Sequence, residues 1–277
     1  LNDALRERGR HRLGGRPPVL VTAPPRYVGG QETAVIARVQ GDAAKPSYTP
    51  PLPFVHGAWG RPTLVQNVET LARAALIARG QPSAGLALLT VVGAVARTGV
   101  VEIAVGASYA EAVNAVGGTV GRPRAVLAGG YFGRWLDVPD GWGYRPGIDV
   151  PLGAGVVAVV DSGHCPIAET ARIVAYLARE SARQCGPCRD GLPALAEGVA
   201  GLTGARRPRP RLDLLRRRLE EIAGRGACRH PDGAVVLVQS MLTVFHEQVE
   251  SHLRTGPCVA CAATPLLPIP AAGGGWR

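Results

Sequence analysis

The stretch Glu180-Ser-Ala-Arg-Gln-Cys-Gly-Pro-Cys-Arg-Asp-Gly191 decides how the second half of this 277-residue chain is built. Two thiols, Cys185 and Cys188, stand three apart, just after a helical pattern carried by Ile173, Val174, Tyr176 and Leu177. Gly186 and Pro187 between them predict a turn, and a turn lets neighbouring thiolates converge on one metal centre. A third thiol, Cys228, follows another helical pattern in the loop Gly224-Arg-Gly-Ala-Cys-Arg-His230. Cys-x-x-Cys with a distant cysteine is a metal signal. The spacing alone does not choose between an iron–sulfur cluster, zinc and a redox dithiol.

Working outward, the chain has room for one large or two to three small domains, and its 46% apolar content is that of a globular protein. The apolar stretch Leu86–Val105 is broken by Thr90, Arg97 and Glu102, so no membrane span is expected. Six cysteines without a secretory signal point to a reducing compartment and metal chemistry, not disulfides. The start at Leu1, without Met, suggests a fragment or the tail of a longer polypeptide. The net charge of +10 is carried almost wholly by arginine, with Lys45 the single lysine. Its densest runs, Arg206–Arg211 and Arg216–Arg218, have no interleaved aromatic residue for base stacking. They read as solvated surface, with no nucleic-acid partner.

In chain order, a short helical pattern at Ala4–Arg8 precedes a buried-strand pattern at Pro18-Val-Leu-Val-Thr22. The strand would lead into Tyr27-Val-Gly-Gly-Gln-Glu-Thr-Ala34, where the glycine pair admits a ligand and the next helix aims its N-terminus at an anion. Pro50–Thr70 is a proline-stiffened loop that brings Thr63, Gln66 and Asn67 to the start of a helix, Val68–Ala78. Those polar side chains either bind phosphate or a ring edge, or cap the helix. From Leu86 the period shortens. Leu89–Val95, Gly99–Val105 and Arg124–Gly130 read as strands, with a helix at Ser108–Ala115, a small β-grasp pattern. Trp135 and Tyr131 fit core packing better than a ligand platform. Gly153–Asp161 is a further strand, leading to Ser162-Gly-His-Cys-Pro166. Asp190–Leu202, a helix bearing Leu212, Leu215, Leu219 and Ile222, and Asp232–Leu253 join the helix before Cys185 in a four-helix bundle over the thiols. The end of the chain carries Cys258-Val-Ala-Cys261, which reads equally as a metal pair or as mobile thiols.

Glu-Ser-x-x-x-Cys-x-Pro-Cys-Arg-x-Gly with a later lone cysteine resembles the cluster-binding segment of the flavoprotein subunit of NADH-quinone oxidoreductase (complex I). The NAD-reducing hydrogenase and formate dehydrogenase flavoproteins share that segment. Tyr27–Ala34 resembles the family's Tyr-x-x-Gly-Glu-Glu-Thr-Ala, and Pro50–Thr70 its P-P-x-P-x-x-x-G-x-x-G-x-P-T-x-x-N-N-V-E-T. Gly-Gly-Tyr-Phe-Gly-x-Trp-Leu at 129–136 resembles its soluble-ligand-binding β-grasp (SLBB) domain.

The resemblance implies an α/β-plus-α architecture. Residues 1–80 would be the C-terminal part of a flavin- and NADH-binding α/β domain, and 81–150 the SLBB-like domain. Residues 151–255 would be the helical iron–sulfur domain and 256–277 a flexible tail. It further implies flavin mononucleotide (FMN) and NADH bound by Tyr27, Gly30, Gln31, Glu32, Thr63, Gln66 and Asn67, with a [4Fe–4S] or [3Fe–4S] cluster on Cys185, Cys188 and Cys228. Hydride would pass from NADH to the flavin and single electrons would leave through the cluster. Expected partners are other redox subunits or a ferredoxin-like acceptor, at a cytoplasmic location peripheral to the membrane.

This chain departs from the family pattern in four places. Ala182 stands where the family has its first cluster cysteine, Gln31 replaces a glutamate and Gln66 an asparagine. The family's Gly-Arg-Gly-Gly-Ala-Gly phosphate loop is matched at best by Leu13-Gly-Gly-Arg16, which predicts half a flavin pocket. Alanine offers no donor atom. The expected centre is therefore a three-cysteine site with a labile or non-cysteine-ligated fourth iron, with Cys165 next in line as ligand, then Ser181 or a tail thiol. Two rival readings are a non-catalytic electron-transfer or scaffold module, and a structural Cys₃His zinc site built from the three thiols and His230.

Overall fold

Val-rich runs ended by glycine become five strands in one sheet: β1 Leu86–Gly93, β2 Gly99–Ala104, β3 Pro123–Ala128, β4 Arg134–Asp137 and β5 Val156–Asp161. The computed structural model describes residues 1–10, 15, 17–81, 85–138, 140–204, 212–271 and 274–276. The sheet order is β2-β1-β5-β3-β4, with β1 and β5 parallel and the other neighbours antiparallel. Strand periodicity splits the core in two. Ala158 and Val160 of β5 face the helical half, whereas Val157 and Val159 face Val91, Tyr109 and Val113 on the other side. Gly93 has φ +92°, and a Cβ there would lie 2.1 Å from the Val159 carbonyl oxygen, so this close approach of β1 to β5 requires glycine.

β5, expected to open the helical region, instead lies at the centre of the sheet, which therefore runs past residue 150. Its parallel pairing with β1 is long-range, and no local pattern announces it. β4 is too short to have been read from the sequence.

The first segment holds α1 Asn2–Arg10, α2 Glu32–Val39 and α3 Val68–Ala78, with 3-10 turns at Tyr27–Gly30 and Ala58–Gly60. The strand expected at Pro18–Thr22 is absent. That run is unpaired chain, with Val19 86% exposed. An apolar run becomes a strand only where a neighbour pairs its backbone, and none does so among the described residues. Leu13, Gly14 and Arg16 of the expected glycine loop, and the Arg206–Arg211 run, lie outside the described residues.

α4 Tyr109–Ala115 begins at Ser108, whose hydroxyl and Glu111 form a reciprocal capping box. α5 Asp140–Gly143 is a single turn. The remaining helices are α6 Pro166–Glu180, α7 Leu192–Gly201, α8 Leu212–Ile222, α9 His230–Val244 and α10 His246–Thr255. α6 packs against α7 and α9, and α8 against the same two. Ile173, Val174, Leu177, Leu192, Leu195, Val199, Val238 and Met241 are fully buried between them.

The helix expected over Asp232–Leu253 is divided at Phe245 (φ −109°, ψ 30°), whose ring lies edge-on to Trp135 with centroids 5.5 Å apart. Trp135 is itself buried, its indole N–H donating to Thr170 Oγ1 at 2.8 Å, as a packing residue should. The segment expected as a flexible tail lies against the body. Leu267 is 1% exposed, and the Leu266 and Leu267 amides donate to the Glu169 carboxylate. Among the described residues no helix is long and apolar enough to cross a membrane.

Candidate metal centre and the loops beside it

Helix α6 ends at Glu180 with Ser181 as its C-cap, and the chain then turns through Ala182 and Arg183, the latter at φ +55°. A π-helical turn, Pro187–Gly191, follows and leads into α7. The Cys185 carbonyl accepts the amides of Cys188 (3.1 Å) and Arg189 (2.9 Å), which folds the Cys-x-x-Cys stretch back on itself. Cys228 arrives from the loop between α8 and α9. Gly226 in that loop has no room for a side chain, since a Cβ would meet the Cys228 carbonyl oxygen at 2.6 Å.

The three thiols feel one another. Burial pushes Cys188 up, and Cys185 and Cys228 beside it push it further. Cys228 is also raised, by burial first, then by Cys185 and Asp232, against the lowering effect of the His230 amide. Thiols crowded in a low-dielectric site resist ionising singly, and a metal centre that binds thiolates removes that resistance. The three sulfurs are not all within 4.8 Å of one another. One tetrahedral ion with bonds of about 2.3 Å would hold them about 3.8 Å apart. The wider spread suits thiolates bound to separate iron atoms of a cluster.

The fourth position has no thiol. Ser181 is buried, and its hydroxyl is engaged with the carbonyls of Ala178 (2.9 Å) and Cys188 (3.3 Å). Cys165, expected as the next candidate, is at the other end of α6, grouped with His252, Cys258 and Cys261. That placement also removes the two tail thiols from the first centre. His230 is not gathered with Cys185, Cys188 and Cys228 into one group with donor atoms all within 4.8 Å. Its Nε2 donates to the Leu177 carbonyl at 2.8 Å, its Nδ1 is buried without a hydrogen-bond partner, and its ring packs edge-on against Tyr27 and Phe132.

Glu180, buried just before this loop, ties it to the first segment. Its carboxylate accepts the Tyr27 amide at 3.2 Å and pairs with Arg26 Nη1 at 3.0 Å. The Tyr27 ring meets Phe132 (4.8 Å between centroids), Tyr176 (5.7 Å) and His230 (5.8 Å), and burial raises its phenol. Phe132 fits there because residue 233 on α9 is glycine: a Cβ would lie 2.3 Å from its ring.

The other expected nucleotide residues are placed as follows. Gly30 is exposed, with open space where a side chain would project. Gln31 caps α2, its side-chain oxygen accepting the amides of Thr33 (2.9 Å) and Ala34 (3.2 Å). The helix start expected to face an anion is thus closed by its own residue. Glu32 is exposed on the first turn of α2. Thr63 does not cap α3. Its hydroxyl pins the loop, donating to the Arg61 carbonyl (2.9 Å) and accepting from the Ala58 amide (2.8 Å). Asn67 does cap α3, accepting the Thr70 amide at 2.8 Å, and Gln66 beside it is exposed. Two grooves flank the loop: about 320 Å³ lined by Val35, Ile36, Val39, Leu64, Gln66 and Leu71, and about 470 Å³ lined by Thr33, Gln40, Tyr48, His56 and Trp59.

Sequence reading missed His252 and its grouping with Cys165, Cys258 and Cys261. The signal was a Cys-x-x-Cys six residues after a histidine, but nothing local tied it to Cys165.

Residues 168–252 match the family described as "NADH-ubiquinone oxidoreductase-F iron-sulfur binding region", and all three converging thiols fall inside that span. The F subunit of NADH-quinone oxidoreductase from Buchnera aphidicola subsp. Baizongia pistaciae is 27% identical over 259 residues, covering 87% of this chain and 58% of that protein. The NADP-reducing hydrogenase subunit HndC of Solidesulfovibrio fructosivorans is 28% identical, covering 87% of this chain and 53% of its own length. A crystal structure of an NAD⁺-reducing [NiFe]-hydrogenase in the H₂-reduced state superposes with a TM-score of 0.75 at 29% identity, over 83% of this chain and 42% of that one. By fold and matched region, the chain is similar to proteins that carry this iron–sulfur binding region. More particularly, it is similar to the F subunit of NADH-quinone oxidoreductase, and it spans little more than half the length of the relatives it matches.

Proposed function

We propose that this chain is the electron-delivering part of an NADH-oxidising flavoprotein, with Cys185, Cys188 and Cys228 holding a [4Fe–4S]-type cluster. The observation that carries this is the convergence of those three thiols within the matched iron–sulfur region. A cluster there would supply single-electron transfer at a potential set by its ligands and burial. The chain's own part is to hold three thiolates, to screen them with α7, α8 and α9, and to join them through Glu180 to the Tyr27 loop. In this reading β1–β5 with α4 form the SLBB-type domain, and α6–α9 the four-helix iron–sulfur bundle. FMN and NADH would lie against Tyr27, Gly30, Gln31, Glu32, Thr63, Gln66 and Asn67. Redox subunits or a ferredoxin-like acceptor would take the electrons, at a cytoplasmic, membrane-peripheral site.

Purified protein should be brown and contain iron and acid-labile sulfide, and Cys185→Ser, Cys188→Ser or Cys228→Ser should each abolish both. Zinc without sulfide, or an intact cluster in Cys228→Ser, would overturn the assignment. A second reading, an electron-transfer or scaffold module without NADH oxidation, is favoured by one fact: Gln31, Thr63 and Asn67 are all bonded to backbone. Glu32→Gln in a polypeptide with a complete flavin site separates the two. Impaired NADH oxidation at unchanged flavin content supports the first reading, and unchanged turnover the second.

A further inference from the structure

Cys165 sits between β5 and α6, His252 lies in the last turn of α10, and Cys258 caps the 3-10 turn Val259–Ala262, which contains Cys261. One donor atom from each of the four lies within 4.8 Å of the others. Cys258 and Cys261 have their sulfurs 3.7 Å apart. That is far beyond a disulfide bond of about 2.05 Å. It matches the sulfur–sulfur separation of about 3.8 Å at a tetrahedral ion with bonds of about 2.3 Å. The pair is shaped by a backbone knuckle in which the Cys261 amide donates to the Cys258 carbonyl at 2.9 Å.

The surroundings orient these donors. His252 Nδ1–H donates to the Leu202 carbonyl at 3.0 Å, so Nε2 carries the lone pair; it accepts the Cys258 amide at 3.2 Å, a bond that metal binding would replace, and lies 4.0 Å from Cys261 Sγ. The Gln248 side-chain amide donates to Cys165 Sγ at 3.3 Å and to Cys258 Sγ at 3.5 Å. A carbonyl that fixes a histidine tautomer and an amide that donates to thiolate sulfurs are what surround a metal-binding ligand set. The cysteines are free and half-buried to buried, and His252 is buried.

We propose that Cys165, His252, Cys258 and Cys261 form a second metal site that binds zinc. Three sulfurs and one nitrogen in tetrahedral reach suit zinc, and four protein donors leave no open position for catalysis, so the site is structural. It shares no ligand with the first centre. The two lie at opposite ends of α6, whose 15 residues place them about 22 Å apart along the helix axis. Its effect is to fasten the chain's last stretch to the body. Past Cys261, Leu266 and Leu267 dock on Glu169, and the Trp276 ring covers the Arg26 guanidinium at 4.3 Å, the group that pairs with Glu180 beside the first centre.

Elemental analysis of the intact holoprotein tests this separately from the iron–sulfur assignment. Wild type should carry one zinc per chain besides its iron. Cys185→Ser and Cys228→Ser should lose iron and keep zinc, whereas Cys258→Ser and Cys261→Ser should lose zinc and keep iron and sulfide. Should those variants fail to fold, growth of wild type with cobalt(II) gives an independent reading. Tetrahedral thiolate–cobalt absorption should then appear alongside the cluster bands. Wild-type holoprotein without zinc, zinc undiminished in Cys258→Ser, a Cys258–Cys261 disulfide found by mass spectrometry, or iron in this site in place of zinc would each overturn the proposal.

Discussion

Ala182 is a methyl group where the proposed cluster would need a fourth ligand, and its neighbour gives no substitute, because the Ser181 hydroxyl is already bonded to the Ala178 and Cys188 carbonyls. A cluster held by three thiolates should lose its fourth iron readily. Mildly oxidised wild type should show a [3Fe–4S] electron paramagnetic resonance signal, and Ala182→Cys should suppress it. Absence of the signal from wild type would mean that some other group binds the fourth iron. Gly233 is the other single residue on which the site turns. Gly233→Ala would drive a methyl into the Phe132 ring and disturb its contacts with Tyr27 and His230, at a cost of about 1–3 kcal/mol. A denaturant midpoint unchanged from wild type would show that Phe132 moves aside freely.

At the scale of elements, the short helices of the first segment depend on their caps more than on burial. α3 has no fully buried residue, so losing the Asn67 cap should cost about 1 kcal/mol, felt locally. Asn67→Ala should speed amide exchange across residues 68–78 and leave the melting temperature of the whole protein unchanged. A cooperative loss of global stability would mean that α3 is tied more tightly than its exposure implies. The division at Phe245 belongs to this scale as well. Apolar spacing runs on through Val249, so the pattern reads as one helix, but packing against Trp135 turns the chain and aims His252 back toward Cys165.

For the whole molecule, the last stretch of the chain is a tie between the helical half and the first segment. Glu169, buried on α6, accepts two amides from it and pairs with Arg172, which also donates to the Leu267 carbonyl. Glu169→Ala leaves one buried and one part-buried amide unmet and should destabilise by about 2 kcal/mol. Exchange at residues 264–271 should rise most, and equal protection there in both proteins would place the anchoring elsewhere.

The amino-acid sequence by itself determined the Cys185–Cys188 turn, the late Cys228, the helix that begins beside Ser108, the extent of α3 and most strands of the sheet. Each follows from residues within a turn or two of one another: glycine and proline geometry, side-chain oxygens reaching nearby amides, apolar spacing. Tertiary structure alone decided that Pro18–Thr22 stays unpaired, that β5 enters the sheet beside β1, and that Cys165 joins the tail thiols and not the first centre. Those outcomes depend on which distant backbone or sulfur arrives as a neighbour. A thiol's identity is written in its codon, but the partners it meets are chosen by the packing of α6 between the two ends of the helical half.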